Sequence, residues 1–172
     1  MPGRPLHADP ATLRAATSDD VPLIPALAER IWWECYPGIL SDEQIRYMLA
    51  RMYAPERIHS EILDGVSWEI LEVEDRPVGY AACEIKGTVA HLHKLYLGRA
   101  FQGRGLGRRL LERVQALAVE RKADRMELRV NRSNVRALCF YRNAGFALLR
   151  DDCHPIGNGF VMDDHILSLS LR

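Results

Sequence analysis

The sequence predicts an α+β fold in one domain: a mixed, mostly antiparallel sheet with helices on both faces. Helix-like spacing of apolar residues dominates the region before Ser67, and the period-two alternation typical of strands dominates after it. Short turns join the first three alternating runs, which indicates an antiparallel meander. A glycine-rich loop, an amphipathic helix and another strand then form a crossover. The length of 172 residues is about one ordinary domain.

Each element has a local signal. Ser18, followed by two aspartates, marks a helix N-cap, and Ser41 with Gln44 has the spacing of a capping box. Gly145 is placed to end the last helix in a left-handed conformation. The predicted helices cover 18–33, 41–53, a short segment from 55, 106–121 and 134–145. The predicted strands cover 12–16, 68–73, 78–85, 89–97, 126–130, 146–149 and 160–171, with 1–11 as a flexible tail and 12–172 as the single domain.

The composition excludes several classes of protein. Lysine plus arginine equals aspartate plus glutamate, 23 each, so the chain lacks the basic excess of a general nucleic-acid or anionic-membrane binder. No apolar run reaches the length of about 18 residues that crosses a membrane, and the first ten residues do not look like a signal peptide. Four scattered cysteines without a Cys-x-x-Cys pair are typical of a reduced protein, so we expect a cytoplasmic location.

The sharpest motif is the loop from Gln102 to Gly107, between a predicted strand and an amphipathic helix. Closely spaced glycines let backbone N–H groups converge, and a helix N-terminus adds partial positive charge, which favours phosphate. The arginines around it are Arg99, Arg104, Arg108 and Arg109. A nucleoside-triphosphate loop would need Gly-Lys-Ser/Thr and a dinucleotide fingerprint Gly-x-Gly-x-x-Gly, and the loop has neither. The alternative is a tight strand–helix turn with a solvated basic face.

A second motif lies on the following helix. Asn134, Ala137 and Tyr141 are spaced to share one helical stripe, on which a small alanine between two polar tips leaves a shallow groove. Asn134 is placed to bond a ligand amide, and Tyr141 to direct its hydroxyl at a reacting atom. The alternative for Tyr141 is a half-buried helix aromatic with a solvated tip.

Together these motifs resemble the GNAT superfamily of N-acetyltransferases, most strongly over residues 66–150. The resemblance implies the GNAT fold, with the sheet splayed at a bulge near 95–97, and acetyl-coenzyme A as co-substrate. Loop amides over 103–107 would hold the pyrophosphate, a backbone N–H at the bulge would polarise the thioester carbonyl, and Tyr141 would protonate the departing thiolate. The residues implied for the coenzyme are Leu95, Tyr96, Leu97, Gln102, Gly103, Arg104, Gly105, Leu106, Gly107, Arg108, Asn134, Ala137 and Tyr141.

The proton acceptor for the attacking amine has three candidates. His91 and His93 alternate onto the face predicted for Leu95. His91 is the preferred base, because it matches a position where some family members carry a glutamate. Glu84 on the preceding strand is a reserve candidate. Other members carry a glutamate on the next strand, where this chain has Arg129, which cannot act as a base. Two ordinary half-exposed strand histidines are the alternative, and the spacing of possible ligands disfavours a metal site.

The acceptor site is expected near the first helix. Trp33, Glu34 and Tyr36 precede a Pro-Gly turn in the segment that covers the acceptor in this family, although core packing is the alternative for each. The closing segment 156–164 resembles that of bacterial spermidine/spermine-type acetyltransferases. Within it Asp163 is the chosen acceptor-binding acid, with a solvated edge as the alternative.

The sequence therefore predicts a GNAT-type enzyme that moves acetyl from acetyl-coenzyme A to a primary amine by direct attack. A polyamine-like small molecule is the favoured acceptor, and a homodimer is the expected assembly. Two alternatives stay open: a non-catalytic acyl-coenzyme A sensor or interaction domain, and a protein N-terminal acetyltransferase.

Overall fold

The computed structural model describes residues 10–172, so the expected tail falls outside the described residues except for its end, where Ala11 opens the first strand. The strands are β1 Ala11–Ala15, β2 Ser67–Val73, β3 Arg76–Lys86, β4 Val89–Leu97, β5 Arg125–Asn131, β6 Ala147–Gly157 and β7 Phe160–Ser170. The α-helices are α1 Leu23–Cys35, α2 Asp42–Met52, α3 Pro55–Leu63, α4 Leu106–Glu120 and α5 Val135–Asn143. None of the helices in this described part is long and apolar enough to cross a membrane.

All seven strands form one sheet in the order β1-β2-β3-β4-β5-β7-β6. Neighbours are antiparallel except β4 and β5, which are joined by the crossover through α4 and run parallel. The predicted mixed, mostly antiparallel α+β sheet is thus confirmed.

Each face of the sheet buries its own core. Leu110 of α4 and Met126 of β5 are fully buried in the core on the α4–α5 side. Ile31 of α1, Ile58 of α3 and Trp68 of β2 are buried in the core on the α1–α3 side. Fully burying one such side chain stabilises the fold by roughly 1.5–3 kcal/mol, so both helical layers are firmly held.

The first helix begins later than predicted. Thr17, rather than Ser18, is the N-cap, and it caps only a 3-10 turn in which its backbone N–H donates to Asp20 at 2.8 Å. Pro22 then precedes α1, which starts at Leu23 and continues to Cys35. Proline lacks an N–H and suits the edge of a helix rather than its interior, which explains the interruption.

The closing hairpin is longer than predicted, because β6 runs to Gly157 rather than ending near 149. Its two-residue turn, Asn158-Gly159, has positive φ at both positions (54° and 77°). Asn-Gly is the preferred dipeptide of such hairpin turns. The turn signal was therefore present in the sequence, and Pro155 is tolerated because β6 is an edge strand.

The bulge in the central strand lies at His93 and not at 95–97. Ala82 of β3 pairs with Lys94, but Cys83 pairs with Leu92, so His93 is an extra residue in β4. The extra residue exchanges the two faces beyond it. Leu92 belongs to the α4–α5 core, whereas Lys94, two residues on, packs toward α3 on the other side.

Candidate active site

A cleft of about 1160 Å³ opens where β4 and β5 part. The two strands pair only over 89–92 and 125–128, so among the described strands β4 from His93 onward pairs with β3 alone. Leu95, Tyr96 and Leu97 line the cleft. This part of β4 therefore presents an unpaired backbone edge to whatever enters.

The glycine loop lines the cleft between the end of β4 and the start of α4. Gly103 and Gly105 have φ of 75° and 77°, and a Cβ added at either would meet no described atom within 4 Å. Gly105 is the N-cap of α4 and has no side-chain cap, so the first N–H groups of the helix keep room for a ligand. Gly107 and Arg108 also line the cleft. An open, uncapped helix N-terminus fits the pyrophosphate of coenzyme A.

Three neighbouring residues support the loop in different ways. Gln102 lines the cleft, but its side-chain amide donates to the Leu97 carbonyl at 2.8 Å and so ties the loop to the end of β4. Leu106 is buried and anchors α4, and it is not part of the cleft wall. Arg104 lies over the Phe101 ring at 5.6 Å from its centroid, also off the wall.

Asn134 has a structural role that the stripe argument did not foresee. It is the N-cap of α5, and its Oδ1 accepts a hydrogen bond from the Ala137 N–H at 3.1 Å. Both residues line the cleft. The side-chain oxygen of Asn134 is thus bonded to the helix, and only its side-chain amide nitrogen is left to donate a hydrogen bond to a ligand.

Tyr141 reaches the cleft from α5. It is 8% exposed, and its ring packs edge-on against Phe140 and Phe146, with centroids 5.1 and 5.5 Å away. Its hydroxyl makes no hydrogen bond to any residue in 10–172, although it lines the cleft. Burial raises the pKa of Tyr141 well above its usual value, because the phenolate would lose its hydration. The phenol therefore holds its proton at neutral pH.

Of the three aromatic-segment candidates, only Tyr36 joins the cleft. Its hydroxyl is 3.0 Å from that of Tyr96, and burial raises the pKa of Tyr36 to about 12. Trp33 points to the opposite side of α1, where Arg46 covers its ring at 5.3 Å. Glu34 accepts the Arg99 N–H at 2.7 Å and stabilises the turn before the loop. Neither Trp33 nor Glu34 lines the cleft.

Only one of the two strand histidines lines the cleft. His93 lines the cleft at the bulge, and its Nε2 is 3.0 Å from a Glu84 carboxylate oxygen that also bonds Lys86. Burial lowers the pKa of His93, so its neutral form predominates at neutral pH, while the hydrogen bond from His93 lowers the pKa of Glu84. His91 is beside His93, with ring centroids 6.2 Å apart, but lies outside the cleft wall. Because of the bulge, both lie on the Glu84 side and not on the Leu95 side that simple alternation predicted.

The closing strand turns the other aspartate inward. Asp163 is exposed and lies 3.5 Å from Arg132, away from the cleft. Asp164 is 1% exposed and lines the cleft. It falls between the inward residues Met162 and Ile166, and that alternation is the sequence signal that could have selected it.

Lys94 was also missed by sequence reasoning. It is 4% exposed, lies 3.6 Å from a Glu61 oxygen, and sits over the Trp68 ring at 4.8 Å. Burial lowers the pKa of Lys94. A lysine at that position is expected to face the other core, and only the bulge brings it here.

Comparisons with known proteins agree with this geometry. The spermidine N(1)-acetyltransferase of Thermoplasma acidophilum is 25% identical over 156 residues, which cover 88% of this chain and 94% of that protein. The crystal structure of PaiA N-acetyltransferase from the same organism, in complex with coenzyme A, superposes with a TM-score of 0.81 at 21% identity, covering 93% and 98% of the two chains. The structure of YncA from Salmonella typhimurium with its cofactor acetyl-CoA has a TM-score of 0.66 at 20% identity and covers 94% of each chain.

The model of the acetyltransferase (GNAT) family matches residues 26–146, and the chain belongs to that family. It is an N-acetyltransferase of the GNAT type with acetyl-coenzyme A as its co-substrate. The resemblance drawn from the glycine loop and the Asn134–Tyr141 segment is thereby confirmed.

Proposed function

We propose that this enzyme acetylates a primary amine of a small, polyamine-like acceptor by direct attack on acetyl-coenzyme A. The observation that carries the proposal is the meeting of three features in one cleft: the uncapped glycine loop, the unpaired edge of β4, and the protonated hydroxyl of Tyr141. Support for a cationic acceptor comes from the related spermidine N(1)-acetyltransferase and from the carboxylates of the cleft wall.

In the proposed reaction, the amine nitrogen attacks the thioester carbonyl carbon while N–H groups of β4 beyond the bulge stabilise the developing oxyanion. The C–N bond forms, the C–S bond breaks, and Tyr141 gives its proton to the departing thiolate. After the attack, the proton lost by the amine nitrogen passes to neutral His93 and from it to solvent, and solvent returns a proton to the Tyr141 phenolate. The products are the N-acetylated amine and coenzyme A.

An amine panel tests this function. The enzyme is incubated with acetyl-coenzyme A and spermidine, a propylamine control, or a peptide with a free N-terminus, and thiol release is compared with the mass of each acceptor. We expect spermidine to gain an acetyl group fastest. Binding of acetyl-coenzyme A without acetylation of any acceptor would make the chain a sensor domain, and acetylation of the peptide alone would make it a protein N-terminal acetyltransferase.

The role of His93 is tested by its pH profile. Burial lowers the pKa of His93, the nearby Lys94 and His91 act in the same direction, and together they outweigh the Glu84 carboxylate, which raises it. The acidic limb of kcat/KM should therefore lie below the usual imidazole value of ~6.5, since activity is lost when His93 is protonated. His93→Gln should remove that limb, whereas His91→Gln, outside the cleft, should keep it. A limb unchanged in His93→Gln would show that another group accepts the proton.

A further inference from the structure

Asp164 differs from the other acids of the cleft because its charge has no partner. Both of its carboxylate oxygens are buried and have no hydrogen-bond partner within residues 10–172. Burying an ionised carboxylate without hydrogen bonds is costly, so such a group is rarely kept for stability. A carboxylate in this state, on the wall of a cleft, is placed to receive a donor from a ligand.

The remaining acids on the cleft wall are already engaged. Glu61 accepts from the Trp68 indole at 3.2 Å and lies near Lys94, and Glu84 contacts His93 and Lys86. Asp64 accepts from the Ser60 hydroxyl at 3.3 Å. Among the described carboxylates of the cleft wall, Asp164 is the one whose two oxygens have no hydrogen-bond partner.

The charged and titratable groups around Asp164 lie on the two neighbouring strands β5 and β6, on its own strand β7 and at the end of α1. Arg129 of β5 forms an ion pair with Asp152 of β6, which neutralises much of its charge. His154 of β6 lies with its Nδ1 2.9 Å from the same Asp152. Asp163 of β7 pairs with Arg132, and Tyr36, the C-cap of α1, is uncharged. Arg129 is therefore held by another acid and leaves Asp164 available.

We propose that Asp164 binds the ammonium group of the acceptor and so makes the cleft selective for cationic amines. Its position supports this, because Asp164 lines the same cleft as Tyr36 and Tyr96, whose hydroxyls are 3.0 Å apart, and Tyr96 lies on the unpaired edge of β4. A cation held at Asp164 thus lies in the same cleft as the β4 edge at which the thioester carbonyl is expected. The inference rests on the proposed function.

The test compares Asp164→Asn, which keeps the shape and removes the charge, with wild type on three acceptors. Spermidine carries several ammonium groups, propylamine carries only the reacting one, and an alkoxyamine of similar length is uncharged at neutral pH. We expect kcat/KM for spermidine to fall about 10- to 100-fold, mainly through KM, as for the loss of a charge-assisted hydrogen bond. The value for the alkoxyamine should change little. A parallel loss for propylamine places the reacting ammonium at Asp164, and a loss for spermidine alone places a distal one there.

The matched control is Asp151→Asn on β6, an exposed carboxylate whose partners are His165 and Arg132, outside the cleft. It should leave all three acceptors unchanged. Calorimetry of spermidine binding to the enzyme with coenzyme A gives a second reading, and Asp164→Ser serves as a second variant. An equal loss for the uncharged acceptor, or unchanged spermidine affinity in both variants, would overturn the inference. Wild-type enzyme that acetylates no amine would instead refute the proposed function itself.

Stability distinguishes a binding role from a structural one. Burial raises the pKa of Asp164, so its ionisation opposes folding as pH rises from its ordinary value through the raised one. Asp164→Asn removes that cost and should melt at or above the wild-type temperature at neutral pH, with the difference shrinking on acidification. A variant less stable than wild type at neutral pH would assign Asp164 a structural role and overturn the proposal.

Discussion

Replacing Tyr141 by phenylalanine should lower kcat while leaving the stability of the protein unchanged. The ring would keep its contacts with Phe140 and Phe146, and the lost hydroxyl bonds no residue in the described chain. No intramolecular hydrogen bond of about 1 kcal/mol is therefore given up, and the melting temperature should stay close to that of wild type. Losing the proton donor should lower kcat by about 10²-fold, or ~2.7 kcal/mol on the barrier.

The assay is coenzyme A release with both substrates saturating, beside calorimetry for acetyl-coenzyme A and a thermal melt. Tyr80→Phe is the matched control. The Tyr80 hydroxyl donates to that of Tyr53 at 2.7 Å inside the core on the α1–α3 side. Its loss should cost about 1 kcal/mol and 2–4 °C in melting temperature while kcat is unchanged.

The two variants should thus give opposite patterns. Full turnover in Tyr141→Phe would show that water or another group supplies the proton to the thiolate. A large loss of stability in Tyr141→Phe would contradict the finding that its hydroxyl has no partner in the described chain.

Two further predictions follow from backbone conformation and from burial. Gly105→Ala and Gly87→Ala place a methyl group at positive φ (77° and 60°) in open space, so each variant should lose about 1–2 kcal/mol of stability. Only Gly105→Ala, which lies in the loop that lines the cleft, should also weaken acetyl-coenzyme A binding measured by calorimetry. Equal affinity in wild type and Gly105→Ala would show that the loop does not bind the coenzyme. Iodoacetamide at pH 8 should label the exposed Cys139 and Cys153 but not Cys83, which is 3% exposed and whose pKa burial raises to about 12; peptide mass mapping that finds Cys83 modified in the folded protein would contradict its burial.

Much of the fold could be predicted from the sequence because its signals are local. Each of these signals depends on residues a few positions apart in the chain. Examples are the cap at Ser41, the start of α3 at Pro55 and the alternation that becomes β4. The glycine loop was equally legible, since positive φ at Gly105 is a property of that residue itself. The capping box also includes a contact that the local sequence does not predict. The backbone N–H of Gln44 donates to the Ser41 hydroxyl, but its side-chain amide donates to the Val161 carbonyl of β7 at 3.1 Å.

The errors at the candidate site mostly concern which way a side chain faces. Alternation placed His93 with Leu95, and the bulge reversed that relation. Choosing between Asp163 and Asp164 required the register of β7 on its neighbours, because adjacent strand residues point to opposite faces. Trp33 of α1 and Tyr36, the C-cap of that helix, contact different neighbours: Arg46 covers the Trp33 ring, and the Tyr36 hydroxyl bonds to Tyr96.

The sequence by itself determined the order of the elements, the glycine loop before α4, the placement of Tyr141 near the end of α5, and hence the family. These rest on residue chemistry and on spacings of a few positions. Only the tertiary structure decided where β4 bulges, that β4 and β5 separate after Leu92, and that Asp164 rather than Asp163 enters the cleft. The physical reason is that strand register and splay are set by partners far apart in the chain, and a shift of one residue exchanges every side chain between the two faces of the sheet.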